Sequence, residues 1–354
     1  MINHLKVMMR ILFAASLFFC FTGCAETVKP SATKINPPKA QITVLYDAFG
    51  KNPALQKGWG YAALIEYDGK RILFDTGDNP EILAHNAKVM NVDLSKLDFV
   101  VMSHRHSDHM GGFTYLMSVN PQVKIYAPKE NFGIYGSSLP STFYRKDPSL
   151  PTEQRYYDGK PPETMKFGTA WPANFMLIEK TTEIAPGIHL IFEISDKPTT
   201  MELREISLAI DTPDGIVLVV GCSHPGLEKI VGAAALINKH IHLVTGGFHY
   251  VIAKGAEIEQ IVSTLHDTFK VNFIAPGHCT GEPAFSAFKK AFGDRYLYAG
   301  LGSSIELGAS SLAVANSRNT QLMMDVNDLS TYRALLSKSD ESTVFASNEA
   351  EINQ

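Results

Sequence analysis

Asp98-Phe99-Val100-Val101-Met102-Ser103-His104-Arg105-His106-Ser107-Asp108-His109 carries the chain from an apolar run straight into three imidazoles and a carboxylate within six positions. The run before Ser103 is β-branched and aromatic, which predicts a buried strand. The residues after it leave the strand's C-terminal end as a loop, the edge where open α/β sheets place their chemistry. Imidazole nitrogen and carboxylate oxygen are both ligands that zinc takes at roughly 2.0–2.2 Å. Two alternating histidines, His104 and His106, followed by the adjacent pair Asp108-His109, direct four donors at two neighbouring ions.

Upstream, Ile42–Tyr46, Ala62–Tyr67 and Arg71–Phe74 read as strands, the last two joined by an Asp68-Gly69 hairpin turn. Pro80–Met90 reads as a helix, opened by Asn79-Pro80 as a polar cap followed by proline in the first turn. Helix Phe113–Ser118 and strand Val123–Ala127 follow the histidine loop, with Gly111 and Gly112 serving its tight exit. From 128 to 186 the periodicity lapses. That stretch is rich in Pro, Tyr, Ser and Gly and carries Tyr144, Arg145, Tyr156, Tyr157 and Trp171. A loop of this length is expected to be functional, either a cap-like insertion over the site or a homodimer contact, with a solvated insertion as the alternative. Strands Ile188–Ile194, Ser207–Asp211 and Ile216–Val220, helix Gly226–Ile237, strand Leu243–Thr245, helix Glu257–Lys270 and strand Phe273–Ala275 then resume the alternation. Two such halves, stacked sheet on sheet with helices outside, make an α/β fold in the form of a four-layer αβ/βα sandwich.

With 354 residues, 45% of them hydrophobic and 19% charged, the chain can bury one large core or two modest ones. A formal net charge of −4 gives no electrostatic reason to expect nucleic acid. Lys6 and Arg10 precede the apolar run Ile11–Phe21, which has the size of a signal-peptide core and is short for a bilayer span. Phe21-Thr22-Gly23-Cys24 resembles a bacterial lipoprotein box. That resemblance implies removal of the signal segment 1–24 up to Cys24, lipidation of that cysteine, and a Pro-, Lys- and Thr-rich tether over 25–40. The expected organisation is then a domain at 41–308, containing the cap-like insertion 128–186, and a partly disordered extension at 309–354 with a short helix at 329–336. Cys222 and Cys279 lie outside the export segment, and a disulfide between them or a role in the site are both open.

Several segments together with His104-x-His106-x-Asp108-His109 resemble the metallo-β-lactamase-fold superfamily over roughly residues 41–307. They are Asp75-Thr76-Gly77, Gly221-Cys222-Ser223-His224-Pro225-Gly226, Thr245-Gly246-Gly247-Phe248-His249 and Pro276-Gly277-His278-Cys279-Thr280-Gly281. The last three are similar to the branch around the dihydropterin-ribofuranosyl-aminobenzene-phosphate synthases. The resemblance implies two divalent ions, zinc first and manganese or iron compatible, held by His104, His106, Asp108, His109, His224 and His278. Many relatives place a Gly-Asp pair after the strand equivalent to 216–220, with the Asp bridging the ions and a His before the strand. Here no His occurs between His189 and His224, and Gly221-Cys222 stands in the place of Gly-Asp. Either Cys222 ligates as thiolate, or His224 replaces the missing His while Cys222 packs; His224 is the assignment made here. His249 reads as a substrate contact, a proton donor or a further ligand, and Asp75 as the carboxylate that orients a ligand histidine.

Two ions about 3.5–4 Å apart activate water for attack on a carbonyl or phosphoryl centre, with Asp108 as the catalytic carboxylate orienting it. The expectation is a metal-dependent hydrolase of an ester, lactone or phosphoester-type small molecule, exported to the cell envelope and facing the periplasm or the exterior. The alternatives are a metal-dependent transferase or synthase on a pterin- or phosphoribosyl-like substrate, and a non-catalytic metal-binding lipoprotein. A di-iron redox protein needs a flavin domain for which the chain has no room. If Cys24 anchors the protein, the wild type is expected to fractionate with membranes and Cys24→Ser to lose that association; a wild type soluble without detergent sinks the anchor.

Overall fold

Along β10 (Gly215–Val220), Val217 and Val219 join one apolar cluster while Ile216, Leu218 and Val220 join another, so a fully buried strand faces packed layers on both sides. β2 (Ala62–Tyr67) alternates in the same way, with Ala63 and Ile65 on one face and Ala62 and Leu64 on the other. The computed structural model describes residues 40–130, 148–155, 173–307 and 314–316. The expected export segment, most of the tether and the helix at 329–336 lie outside them. Among the described residues no helix is long and apolar enough to cross a membrane.

The first sheet is assembled from β1 (Gln41–Tyr46), β2, β3 (Lys70–Phe74), β4 (Phe99–Val101), β5 (Lys124–Pro128), β6 (Asn174–Ile178), β13 (Ser303–Glu306) and β14 (Val314–Asn316), in the order β14-β13-β1-β2-β3-β4-β5-β6. The second contains β7 (Thr182–Ala185), β8 (Ile188–Ile194), β9 (Arg204–Thr212), β10, β11 (Ile241–Gly247) and β12 (Phe273–Gly277), in the order β12-β11-β10-β9-β8-β7. Ile65, Phe74 and Val101 of the first sheet meet Leu208, Val219 and Leu243 of the second in one cluster between them. Leu83 of α1 (Pro80–Val89) and Phe113 and Leu116 of α3 (Phe113–Val119) cover the first sheet's other face. Ile230 of α4 (Leu227–Ile237), Ile258 of α5 (Gly255–Ser263) and Phe288 of α6 (Glu282–Phe292) cover the second's. Helix, sheet, sheet and helix layers make the αβ/βα sandwich.

Local chemistry agrees with the elements it forms. Asp68 and Gly69 both take positive φ, 47° and 72°, the pairing a tight hairpin needs to match the strand twist. Asn79 caps α1 by accepting from the Glu81 and Ile82 amides. Gly111 and Gly112 lack positive φ; their role is close approach, since a Cβ would fall 2.2 Å from Asp78 O and 2.3 Å from Thr76 O.

The structure redraws the cap-like insertion expected over 128–186. Residues 174–178 are β6, parallel to β5, and 182–185 are β7, antiparallel to β8. Three of the five β6 positions are exposed, so the strand shows no alternation, and pairing to β5 forms it. Residues 131–147 and 156–172 lie outside the described residues. The helix expected over 257–270 ends its α-turns at Ser263 and widens into a π-turn at Thr264–Thr268. α6, β13 and β14 were not anticipated, although Ala284, Phe288 and Phe292 mark the buried stripe of α6.

Leu208→Ala opens a cavity between two sheets that have no room to close over it, and is expected to lower unfolding stability by about 2–5 kcal/mol in denaturant titration.

Candidate metal centre

Parallel pairing in register brings several strand ends to one edge. Phe74 pairs with Val101, Val220 with Gly246, and Gly247 with Gly277, so the chain leaves β3, β4, β10, β11 and β12 at a common rim. The rim is strained. Asp75, Ser223, His249 and His278 have φ of 57°, 63°, 55° and 45°, left-handed conformations that cost a non-glycine residue about 1–3 kcal/mol each. They aim side chains inward from strand ends that would otherwise point past one another.

Buried carboxylates hold that arrangement. Asp75 Oδ1 accepts the Ser103 amide at 2.7 Å, and Oδ2 accepts Ser103 Oγ and His109 Nδ1, each at 2.7 Å. Ser103 Oγ spends its proton on Asp75 and therefore accepts from His104 Nδ1 at 2.8 Å. One carboxylate thus fixes both imidazoles with Nδ1 protonated and Nε2 free for an ion. Glu205 in β9 accepts the amides of Cys222 and Ser223 on Oε1, and the His224 amide and His224 Nδ1 on Oε2, which turns His224 Nε2 inward. Asp47, just past β1, accepts the His278 amide at 3.0 Å.

The free donors converge. His104 Nε2 lies 3.1 Å from His106 Nδ1, and the rings of His104 and His106 each stand 4.7 Å from that of His224. His109 Nε2 is 3.1 Å from Cys222 Sγ, and His278 Nε2 is 3.3 Å from Asp108 Oδ2. Asp108, His109, Cys222 and His278 form one group of converging donors, His104, Cys222 and His224 a second, and Cys222, His249 and Cys279 a third. Asp108 and His109 reach the centre from the short helix α2 (Ser107–Met110). His249 stands 4.4 Å from the His224 ring, its Nδ1 buried without a hydrogen-bond partner among the described residues.

Electrostatics favour the ligand forms of His104, His106 and Asp108. Against burial, Asp108 beside His278 raises that imidazole, and burial raises the Cys222 thiol. Burial, reinforced by the neighbouring imidazoles, pushes His104 and His106 well below the ordinary histidine value, so both are neutral. Burial pushes the Asp108 carboxyl up, but His109 and His278 outweigh it and keep it below the usual carboxylate range. For His109 burial acts downward and Asp108 and Asp75 reverse it. Asp47 is pushed up to about 7, chiefly by burial. Neutral His104 and His106, an ionised Asp108 and the Cys222 thiol facing one another fit divalent cations, and Cys222 is common to the first two donor groups, which lie side by side.

All the histidines read from the sequence, with Asp108, meet at this rim, and Asp75 lies behind them. The alternatives left open for Cys222 and His224 are not exclusive, since the geometry places both side chains among the donors. Cys222 and Cys279 are free thiols, not a disulfide. Sequence reasoning missed Glu205, Asp47 and the buried pair of Arg105 and Glu130. Asp47 had a visible signal, an acid directly after an apolar strand; Glu205 had none, because Arg204-Glu205 reads as a solvated pair.

Glu205→Gln keeps the shape of the side chain but weakens its grip on His224 and the 222–224 amides. It is expected to cut metal affinity by about 10–100-fold in chelator competition, without a comparable loss of stability. Cys222→Ser is expected to deplete both ion positions, whereas His224→Ala depletes one. Elemental analysis showing both ions retained in Cys222→Ser would remove Cys222 from the cluster.

Comparison with known proteins agrees with this geometry. The family model described as the metallo-beta-lactamase superfamily matches residues 58–278, more than half of the chain. The chain is 30% identical over 290 residues to the 7,8-dihydropterin-6-methyl-4-(beta-D-ribofuranosyl)-aminobenzene-5'-phosphate synthase of Methanocaldococcus jannaschii, covering 73% of this chain and 94% of that one. A solved structure of a metal-dependent hydrolase of the beta-lactamase superfamily superposes with a TM-score of 0.55 at 25% identity, over 76% of this chain and all of the other. A shorter match, 35% identical over 69 residues and 20% of this chain, is to the hydroxyacylglutathione hydrolase of Aeromonas hydrophila. With its sandwich fold, its strand-end histidine loop and a matched family model over most of its core, the chain belongs to the metallo-beta-lactamase superfamily.

Proposed function

We propose that the chain is a metal-dependent hydrolase that cleaves an ester, lactone or phosphoester-type small molecule at a two-ion centre. The observation that supports this reading is the sharing of Cys222 by the two adjacent donor groups Asp108-His109-Cys222-His278 and His104-Cys222-His224. When bound, two such ions supply an activated water and positive charge for the oxygen that becomes anionic. The thiol in the shared position favours zinc over manganese, since thiolate is a soft ligand.

The chain's own residues do the rest. Asp108, whose side chain is 19% exposed and held against His109 and His278, stays ionised and would orient the attacking water by accepting a hydrogen bond from it. Asp75 and Glu205 keep His109, His104 and His224 in the tautomers that leave Nε2 unprotonated. A cavity of 510 Å³ opens beyond His224 and His249, bordered by Lys197, Thr199, Tyr250 and Ile252, and is of the size that holds a small molecule. His249 stands between cluster and cavity. Burial opposes its protonation but Cys279 and Glu205 favour it, so it is placed to donate a proton to a leaving group. Trp59, half exposed, stands 5.3 Å from the His278 ring.

A second reading has an observation of its own: the synthase from Methanocaldococcus jannaschii aligns over 94% of its length, which favours group transfer between two substrates. A single-substrate screen separates the two, because a hydrolase turns over each ester or phosphoester alone and a synthase needs an acceptor other than water.

The purified chain is expected to bring close to two equivalents of a transition metal through elemental analysis and to hydrolyse members of an ester, lactone and phosphodiester panel. His106→Ala and Asp108→Ala are expected to reduce that turnover by roughly 10²–10⁴-fold with folding retained by circular dichroism. A protein that contains no metal and takes up none on titration defeats the reading, as does near-normal turnover by Asp108→Ala.

A further inference from the structure

Cys222 and Cys279 follow β10 and β12, strands separated by β11 in the second sheet. At roughly 4.8 Å per strand, β10 and β12 lie some 10 Å apart, yet the sulfurs carried by the loops after them lie 3.3 Å from each other. The gap between them is Gly247, at the end of β11. A Cβ there would fall 2.9 Å from Cys279 Sγ and 2.4 Å from Gly221 O, so any side chain at this position would displace the Cys279 thiol. The loops that carry the sulfurs are fixed independently. Glu205 holds the amides of Cys222 and Ser223, Gly247 donates its amide to Gly221 O, and the Val251 amide donates to Cys279 O. The contact is thus built by three strand ends, and both thiols are free and buried.

We propose that Cys222 and Cys279 form a reversible redox pair whose oxidation to a disulfide withdraws the ligand shared by the two cation positions and so empties the centre; this rests on the two-ion reading above. A disulfide of about 2.05 Å needs the sulfurs to close by about 1.3 Å, a movement of the two side chains and of the loops that carry them. With hydrogen peroxide as oxidant, one sulfur attacks a peroxide oxygen, the O–O bond breaks and hydroxide leaves, taking up a proton as water. The second sulfur then displaces the hydroxyl group of the sulfenic acid as a second water, forming the S–S bond. Two thiols and one peroxide become one disulfide and two waters. Cys222 in a disulfide no longer offers a thiolate, and the remaining donors of each group lose their common member. Reduction by a dithiol restores the ligand.

The test uses the full chain, reduced and loaded with zinc, with metal content measured before peroxide is added. Expected on oxidation are a Cys222–Cys279 linked peptide in unreduced mass-spectrometric maps and loss of zinc on gel filtration, both reversed by dithiothreitol and added zinc. Cys279→Ser, its zinc counted before peroxide because Cys279 itself belongs to the third donor group, is expected to lose none of that zinc under the peroxide dose that strips the wild type. Zinc-loaded wild type that gives no linked peptide, or a linked peptide with zinc still bound, overturns the proposal, as does Cys279→Ser losing zinc as fast as wild type. Reduced protein that takes up no zinc overturns the two-ion reading, and the redox gate with it.

Discussion

The Asp75 carboxylate, sealed from solvent at the end of β3, is the interaction from which the centre is organised. It accepts the Ser103 amide, the Ser103 hydroxyl and His109 Nδ1, all at 2.7 Å. Burial alone drives this carboxyl toward its neutral form, and His109 and Ser103 oppose it. An isolated charge there would be costly, so the arrangement persists only with every acceptor position filled. Through Ser103 the same carboxylate reaches His104. A single ionisable group therefore decides the tautomer of two histidines that enter on one loop. Glu205 does the equivalent for the opposite wall, joining the turn after β10 to β9 of the same sheet through four hydrogen bonds.

The strain in the rim belongs to the same design. Four non-glycine residues in left-handed conformations concentrate where strands end and side chains must turn inward. The sheets beneath bear this cost because they are buried on both faces and leave the loops no alternative packing. The apolar cluster between the sheets, from Ile42 and Val44 to Leu243 and Ala275, holds the two walls of the centre at a fixed separation. Cross-sheet contact is direct at the site itself, where the Ile206 amide donates to Ser103 O at 2.8 Å.

Cys222 changes the character of the centre from what a carboxylate in its place would give. A thiolate is softer, prefers thiophilic ions and is open to oxidation. Its neighbour Cys279 is within contact only because Gly247 has no side chain. The proposed metal preference and the proposed redox gate both trace to two residues at adjoining strand ends, one supplying a sulfur and the other supplying space.

The run from Asp98 to His109 by itself determined a buried strand ending in a ligand-rich loop, because strand periodicity and donor chemistry are both local properties. The hairpin at Asp68-Gly69, the cap at Asn79 and the order of strands and helices over 42–127 and 188–275 were legible for the same reason: each depends on residues a few positions apart. Family resemblance extended this to Asp75, His224 and His278. Tertiary structure alone decided that Cys222 is common to all three donor groups, since that depends on which strand ends are neighbours. It alone made Glu205 a structural acid of the site, as an Arg-Glu pair at a strand start gives no sign of which face will be buried. β6, with three exposed positions in five, took its identity from pairing to β5, and no local pattern in 174–178 specified it. The closeness of Cys279 to Cys222 likewise arises between residues 57 positions apart, and is set by the register of three parallel strands.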